Sequence, residues 1–179
     1  YLAVRSHVSL VGSSPTSRAD VTAVNVALGS LGWLVANANV SQGLLPDDTT
    51  TDTMDGGIFR LAPEGSVTGS LTTATSSAMF VNVRMTSSVG RQGGCLYVAG
   101  STATVLDSEL EDCAAFVGGG IYAEQGATLV LARTTASSCS ATKLNGGALH
   151  AAVTAVTMNG CDFRQNTARL SGGGMYAGF

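Results

Sequence analysis

One six-residue phrase, a glycine pair followed three residues later by a tyrosine or histidine, occurs four times in the second half of the chain. The copies lie at 93–98 (GGCLYV), 118–123 (GGGIYA), 146–151 (GGALHA) and 172–177 (GGGMYA). Measured between the tyrosine or histidine positions, successive copies are 25, 28 and 26 residues apart. A repeat of this length indicates stacked units, each too small to bury a core alone.

Alternating apolar residues precede each later copy of the phrase, and a period of two is typical of short β-strands. The equivalent pairs are Ala103 with Val105, Leu129 with Leu131, and Val156 with Met158. Alternation puts each pair on one strand face, which we assign to the interior. The residues of the glycine phrase assigned to the interior are Leu96, Val98, Ile121, Ala123, Leu149, Ala151, Met175 and Ala177. A unit of about 25 residues with two or three short strands has the size of one coil of a parallel β-helix.

The first part of the chain repeats less regularly. Residues 56–59 resemble an early copy of the phrase, with Phe59 interpreted as standing at the tyrosine position. We expect one solenoid over 1–179, with irregular early coils and loops over 1–55 and regular repeats over 56–179. Solenoids need polar caps, and none follows the last repeat. We therefore expect the chain to be a fragment of a longer protein, with its coil ends capped by other parts of that protein or by an assembly.

The composition narrows the classes of partner. Apolar residues make up 45% of the chain, charged residues only 12%, and the net charge is −3. Without a basic patch, nucleic acid is not an expected partner. No stretch of 18 apolar residues is present, so we expect no membrane span, and no signal peptide is visible. The acidic segment 47–56 could offer oxygens to Ca²⁺, but it has neither the EF-hand pattern nor a repeated aspartate ladder,. It is interpreted as a solvated loop, and we expect no metal site and no cofactor.

The last repeat resembles a known family. It joins Cys161-Asp-Phe-Arg-Gln-Asn-Thr-Ala168 to Ser171-Gly-Gly-Gly-Met-Tyr176. This combination is similar to the paired Phe-x-x-Asn and Gly-Gly-x-Ile elements of polymorphic outer-membrane protein repeats. The opening, 4–12, is similar to an early coil of pectin-lyase-like β-helices. The resemblance implies a right-handed β-helix on a cell surface, used for adhesion or as a stalk. We expect a right-handed parallel β-helix of about six to seven coils. Two earlier coils depart from the family pattern, with Cys113 and Cys139 where asparagine is expected.

The four cysteines allow three complete pairings. Cys113 and Cys139 occupy equivalent positions in successive coils, and strands about 4.7–4.9 Å apart lie within the Cα–Cα range of a disulfide. A bond between them is one interpretation, and two small buried side chains are the other. Cys95 and Cys161 share no offset, so the sequence does not pair them. Asn39 begins an N-glycosylation sequon, Asn-Val-Ser,.

Two carboxylates, Glu109 and Asp162, are candidates for catalysis. By the repeat register, Glu109 aligns with Thr135 and then with Asp162, two strand spacings or about 9.6 Å away. That separation is near the upper end for an inverting glycosidase. The favoured interpretation is two solvated charges on an outer face, since no second acidic pair lies near and the motifs of polygalacturonases are missing. A non-enzymatic chain is therefore expected.

A row of rings is the remaining candidate site. The outer positions of the glycine phrase give the series Phe59, Tyr97, Tyr122, His150 and Tyr176. Such a row could bind sugar rings as a flat platform, but aromatic ladders more often stabilise a solenoid by stacking. The sequence thus predicts an extracellular or surface-exposed, structural or adhesive solenoid with protein or glycan partners. The alternatives are a polysaccharide lyase or hydrolase and a non-catalytic carbohydrate-binding module.

Overall fold

The structure, a computed structural model, describes residues 9–11, 19–23, 26–28, 33–42, 56–61, 77–152 and 154–178. These residues form eighteen β-strands and no helix. In chain order the strands are β1 (Ser9–Val11), β2 (Ala19–Ala23), β3 (Val26–Leu28), β4 (Trp33–Gln42), β5 (Phe59–Leu61), β6 (Ser77–Gln92), β7 (Leu96–Ala99), β8 (Thr102–Leu106), β9 (Glu109–Val117), β10 (Ile121–Glu124), β11 (Thr128–Ala132), β12 (Thr135–Ser137), β13 (Ser140–Ala141), β14 (Leu149–Ala152), β15 (Ala155–Asn159), β16 (Asp162–Arg164), β17 (Thr167–Ala168) and β18 (Met175–Gly178).

The strands pair in parallel, each with its counterpart one coil away. The strands form two sheets, and the second of them has the order β18-β14-β10-β7-β5-β3. In the first sheet the long strand β6 pairs with β8 through its first part and with β9 through its second. Four complete turns lie within 77–178, fewer than the six to seven coils predicted. The earlier strands add further rungs, whose connecting segments lie outside the described residues. The predicted all-β fold is confirmed as a parallel β-solenoid, and its right-handed sense stays a prediction.

Residues with positive φ stack at the corners of the coil, because the register repeats each bend in the next coil. One column holds Asn82, Asp107, Arg133 and Gly160, and a second holds Ser87, Asp112, Ser138 and Gln165. A third column consists of the first glycine of each repeated pair, for example Gly93 with a φ of 63°. A Cβ atom at Gly93 would lie 2.2 Å from the carbonyl oxygen of Leu96. The repeated phrase therefore marks a corner that only glycine fits.

The second glycine of the pair is required for a different reason. A Cβ atom at Gly119 would lie 2.3 Å from the carbonyl oxygen of Gly147 and 2.5 Å from the backbone of Ser140. At this point the second sheet and the next coil approach so closely that no side chain fits between them. The glycine pair thus combines a sharp bend with tight packing of one coil on the next.

The predicted interior residues are buried in the inner coils, whereas Met158, Met175 and Ala177 of the last coil are exposed. Ala103, Val105, Leu129 and Leu131 are fully buried, as are the inner residues of β7 and β10. One continuous cluster of buried side chains joins the two sheets. Burial falls in the last coil, where Met158 is 39% exposed and belongs to the same ladder as the fully buried Leu131.

Candidate functional site

A ladder of rings runs along the outer side of the second sheet. Tyr97, Tyr122, His150 and Tyr176 are register partners on β7, β10, β14 and β18. Ring centroids are 5.9 Å apart between Tyr97 and Tyr122 and 5.0 Å apart at each of the two following steps. The planes of neighbouring rings differ by at most 32°. The sequence thus predicted the stacking of these four side chains correctly.

The prediction that Phe59 belongs to this row is wrong. Phe59 pairs with Leu96, is 1% exposed and packs on Phe80 with ring centroids 5.2 Å apart. The partner of Tyr97 is Arg60, whose guanidinium carbon lies 5.5 Å from the centre of the tyrosine ring. That geometry is a cation–π contact. The tyrosine of the repeat is the third residue after the second glycine, and in the early copy that residue is Arg60 rather than Phe59.

The rings face one another and not the solvent. Tyr97 is 4% and Tyr122 8% exposed. Both hydroxyl groups donate to the carboxylate of Glu124, at 2.5 Å to Oε1 and 3.1 Å to Oε2 respectively. A sugar ring would need the face of an aromatic ring, and the faces between successive rungs are occupied by the neighbouring rings, while Arg60 lies over Tyr97 at the first rung. The arrangement suits the stiffening of the solenoid better than it suits a flat binding platform.

His150 replaces a tyrosine in the ladder and is half-buried between Tyr122 and Tyr176. Burial lowers the pKa of its imidazole, while a backbone hydrogen bond with Asn145 and the charge of Glu124 partly oppose that effect. The side chain is therefore held preferentially in its neutral form. A neutral ring stacked between two phenols is the behaviour expected of a structural rung.

A disulfide joins Cys95 to Cys113, whose Cα atoms are 5.6 Å apart. The prediction of a Cys113–Cys139 bond is therefore wrong, although the bond does link successive coils as predicted. Stacked residues of a parallel ladder point in the same direction, so the sulfur atoms of Cys113 and Cys139 do not converge. Cys95 instead approaches from the second sheet, directly before β7. Cys139 and Cys161 are free, and burial raises the pKa of the Cys139 thiol to about 11.

Asn166 occupies the position in the last coil that is equivalent to Cys113 and Cys139 in the earlier coils. Its contacts show that this position links one coil to the next. Its Oδ1 accepts a hydrogen bond from the backbone N–H of Cys139, and its Nδ2 donates to the carbonyl oxygen of Ala136, both at 2.9 Å. Phe163 of the same Phe-x-x-Asn element packs against the core. The asparagine therefore bonds the last coil to the preceding one. Cys113 makes an equivalent link covalently.

The two candidate carboxylates have the predicted register, with Glu109 and Asp162 both paired to Thr135. Each lies beside an arginine: Arg84 Nε is 3.4 Å from Glu109, and Arg164 Nε donates to Asp162 at 2.5 Å. The contact with Arg164 lowers the pKa of Asp162. A general acid needs the opposite shift. Asp162 therefore lacks the surroundings of a proton donor.

The predicted glycosylation site and the acidic segment lie early in the chain. Asn39 is half-exposed on β4, and its glycosylation stays a prediction. The acidic segment 47–56 lies outside the described residues apart from Gly56. Within the described part of the chain, no group of three or more His, Cys, Asp or Glu side chains is arranged to hold a metal ion. None of its segments forms a helix long and apolar enough to cross a membrane.

The fold and the ladder define the class: a parallel β-solenoid whose coils are tied by an aromatic stack, an asparagine bridge and a disulfide. No protein-family model, no curated protein and no solved structure matches the sequence.

Proposed function

We propose that this chain is a non-enzymatic structural and adhesive rod of the extracellular space or the cell surface. The observation that carries the proposal is the stacking of four coils in register, with a disulfide between two of them. In-register stacking gives a stiff body whose length grows with the number of coils. Structural disulfides persist in oxidising compartments, which favours a location outside the cytosol.

The adhesive role rests on the resemblance to polymorphic outer-membrane protein repeats. The last coil carries both elements of that repeat, and Asn166 and the glycine pair have the coil-joining contacts described above. The proposed partners are glycans or surface proteins bound by the loops and outer faces of the coils. Surface loops on a rigid scaffold are a common location for binding residues.

A second part of the proposal concerns the last coil. Met158, Leu170 and Met175 are 39%, 64% and 37% exposed. Strands β15, β16 and β18 end their sheets in the described part of the chain and leave one edge open. Open edges and exposed apolar ladders favour pairing with another strand. We propose that other parts of a larger protein or assembly cover this end.

The alternatives have weaker support. Cleavage of a polysaccharide would use Glu109 and Asp162, each of which lies beside an arginine, and Arg164 lowers the pKa of Asp162. Carbohydrate binding by the aromatic row would use ring faces that already contact each other. Neither arrangement offers a specific observation in favour of these functions.

Location is tested by expressing the chain through a secretory route and, separately, in a reducing cytosol. We expect peptide mapping without reductant to find the Cys95–Cys113 bond in the secreted protein, together with glycan on Asn39 where the host glycosylates. A secreted protein with four free thiols and no gain in stability over the cytosolic product would argue against the proposal.

Function is tested by a glycan array, a polysaccharide-degradation screen and a cell-attachment assay with beads coated by the purified chain. We expect attachment or glycan binding without turnover of any polymer. Turnover that is lost in Glu109→Gln or Asp162→Asn would overturn the non-enzymatic proposal. If the beads bind nothing in any assay, the adhesive part of the proposal is wrong and only the structural role of the rod remains.

A further inference from the structure

Two of the coils have a longer turn before the glycine pair than the others, and each longer turn carries a basic residue followed by leucine. Register partners give the four points from which the turns are counted: Gly90, Ala115, Ala141 and Ala168. The first glycine of the pair follows three residues later in the two earlier coils, but five and four residues later in the last two. These longer turns contain Lys143-Leu144 and Arg169-Leu170. The same pair of residue types is thus added at the same point of two successive coils.

The four side chains of the longer turns are exposed. Leu144 is 45% and Leu170 is 64% exposed, and Lys143 and Arg169 are exposed as well. The two turns stack on each other, because the backbone N–H of Leu170 donates to the carbonyl oxygen of Leu144 at 3.1 Å. Leu144 has a coil on either side and is nevertheless exposed. Its exposure is therefore a property of the turn and not of the open end of the solenoid.

The two earlier coils add a ring and a third cation in the same column. Arg91 and Phe116, like Leu144 and Leu170, stand two residues before the first glycine of the pair. Arg91 is exposed. The Nζ atom of Lys143 lies 3.4 Å from the centre of the Phe116 ring, so a cation covers this ring,. We call these six residues the basic ridge: Arg91, Phe116, Lys143, Leu144, Arg169 and Leu170.

The charge of the basic ridge has one sign. The segments that contain the ridge are 89–92, 114–117, 140–145 and 167–171. They hold three basic residues and no acidic residue, although the net charge of the chain is −3. On the neighbouring side of the coils, Arg84, Arg133 and Arg164 form ion pairs with carboxylates. Cations are thus paired with carboxylates on one side and placed beside leucine on the other.

The combination of exposed leucine and basic side chains fits an anionic lipid bilayer. Apolar tips enter the boundary between headgroups and acyl chains. Lysine and arginine bind the negative headgroups at the same time, because their long stems let the charge stay in water. An acidic polymer would pair with the cations but would leave the leucines in water. The four rungs of the ridge span only about 14 Å, much less than a protein interface of about 800 Å² per partner requires.

We propose that the basic ridge docks the solenoid on bilayers that contain anionic lipids. The ridge runs along the direction in which the coils stack, so the rod lies flat on the lipid surface. Attraction to the headgroups supplies part of the binding, and salt therefore weakens it. This ligand is separate from the proteins and glycans proposed above.

The experiment measures flotation of the 179-residue chain with vesicles of phosphatidylcholine alone and with vesicles that contain about one-third phosphatidylserine. We expect binding to the anionic vesicles only, and weaker binding when salt is added.

Two matched pairs of variants locate the binding surface, and circular dichroism melts show whether each variant folds. Arg169→Gln and Arg164→Gln each remove one exposed arginine from the last coil, and the second is the control. Leu144→Ser and Met79→Ser each remove an apolar side chain of similar exposure, 45% and 43%, and the second is again the control. We expect partitioning to fall about fivefold in Arg169→Gln. It should also fall in Leu144→Ser and change little in the two controls.

Three results would overturn the proposal. The first is a chain that does not float with the anionic vesicles. The second is an equal loss of binding in folded Arg169→Gln and Arg164→Gln, which would show that vesicles sense the net charge and not the ridge. The third is displacement of the chain from vesicles by polyglutamate, with binding to both unaffected by Leu144→Ser. In that case the ridge binds acidic polypeptides and the leucines have no part in it.

Discussion

The inner coils and the last coil carry the same sequence pattern but differ in burial. Ile121 in an inner coil is 2% exposed, whereas Met175, two rungs along the same ladder, is 37% exposed. Backbone pairing, corner residues and strand direction are the same in both places. The difference shows that a coil does not create its own interior: the next coil does. This is the nearest-neighbour stability expected of a repeat protein.

The same comparison applies to the polar and covalent links. Each link runs between coils, as in the Cys95–Cys113 bond and the bridge from Asn166 to the preceding coil. A substitution in an inner coil should therefore disturb two interfaces, and the equivalent substitution in the last coil only one. Matched pairs of variants at register partners measure this difference directly.

The largest difference is expected at the second glycine of the repeated pair. Gly119→Ala puts a methyl group 2.3 Å from the carbonyl oxygen of Gly147, so backbone must move. Its register counterpart in the last coil, Gly173, would meet only the carbonyl oxygen of Asn166, at 2.9 Å. We expect Gly119→Ala to lower the free energy of unfolding by about 3 kcal/mol or more. Gly173→Ala should cost clearly less in the same urea titration, and equal losses would contradict the comparison.

Much of this register was readable from the sequence. The spacing of the glycine phrase placed Tyr97, Tyr122, His150 and Tyr176 in one ladder, and the same offsets aligned Glu109 with Thr135 and Asp162. Period-two alternation assigned Leu129 and Leu131 to the core. A ladder contact joins equivalent positions, so counting residues is sufficient to find it.

Contacts between non-equivalent positions could not be found by counting. The disulfide joins the residue before β7 to the middle of β9, two positions that share no offset in the repeat. Predicting this disulfide requires knowledge of the cross-section of the coil, which the repeat period alone does not give. The error at Phe59 is of another kind, since one residue of miscounting moves a side chain to the opposite face of a strand.

The next difference concerns the core ladder itself. Leu131 is fully buried, and its register partner Met158 is 39% exposed. We expect Leu131→Ala to cost about 4 kcal/mol, because it leaves a cavity in packed surroundings. Met158→Ala should cost at most about 1 kcal/mol, since water already reaches the side chain. Thermal and urea unfolding of the two variants would check this, and a loss at Met158 as large as that at Leu131 would mean that the last coil is covered in solution.

A variant without the disulfide separates the contribution of the covalent bond to stability from the contribution of coil stacking. Replacing Cys95 and Cys113 together by alanine should lower the free energy of unfolding by about 3 kcal/mol, the effect expected for a closed loop of this size. Cys161→Ala, which removes a free and half-buried thiol, is the control and should change little. If a reducing agent destabilises the double variant as much as the original chain, the stabilisation does not come from this bond.

The asparagine bridge should have a smaller effect. Asn166→Ala removes two hydrogen bonds to the preceding coil, and we expect a loss of about 1 to 2 kcal/mol,. Thr167→Ala removes an exposed hydroxyl contact with Ser140 and serves as the control. Hydrogen exchange should show faster opening of the last coil in Asn166→Ala and unchanged protection in the inner coils. Uniformly faster exchange would show instead that the coils open together.

The smallest effect is expected from His150, the ring of the ladder whose type titrates near neutral pH. Burial holds the pKa of His150 below its ordinary value of 6.5. The folded chain therefore prefers the neutral imidazole, and the associated stability is complete above pH 6.5. It falls as the pH drops from 6.5 towards the folded pKa and is constant below that. His150→Tyr restores the residue found at the neighbouring rungs and should remove this part of the pH dependence. Urea titrations of both proteins at pH 5 and pH 8 measure it: the original chain should lose more stability at pH 5 than the variant. Parallel losses in the two proteins would show that His150 is not the titrating group, and a gain in the original chain would show that stacking between two phenols favours the imidazolium.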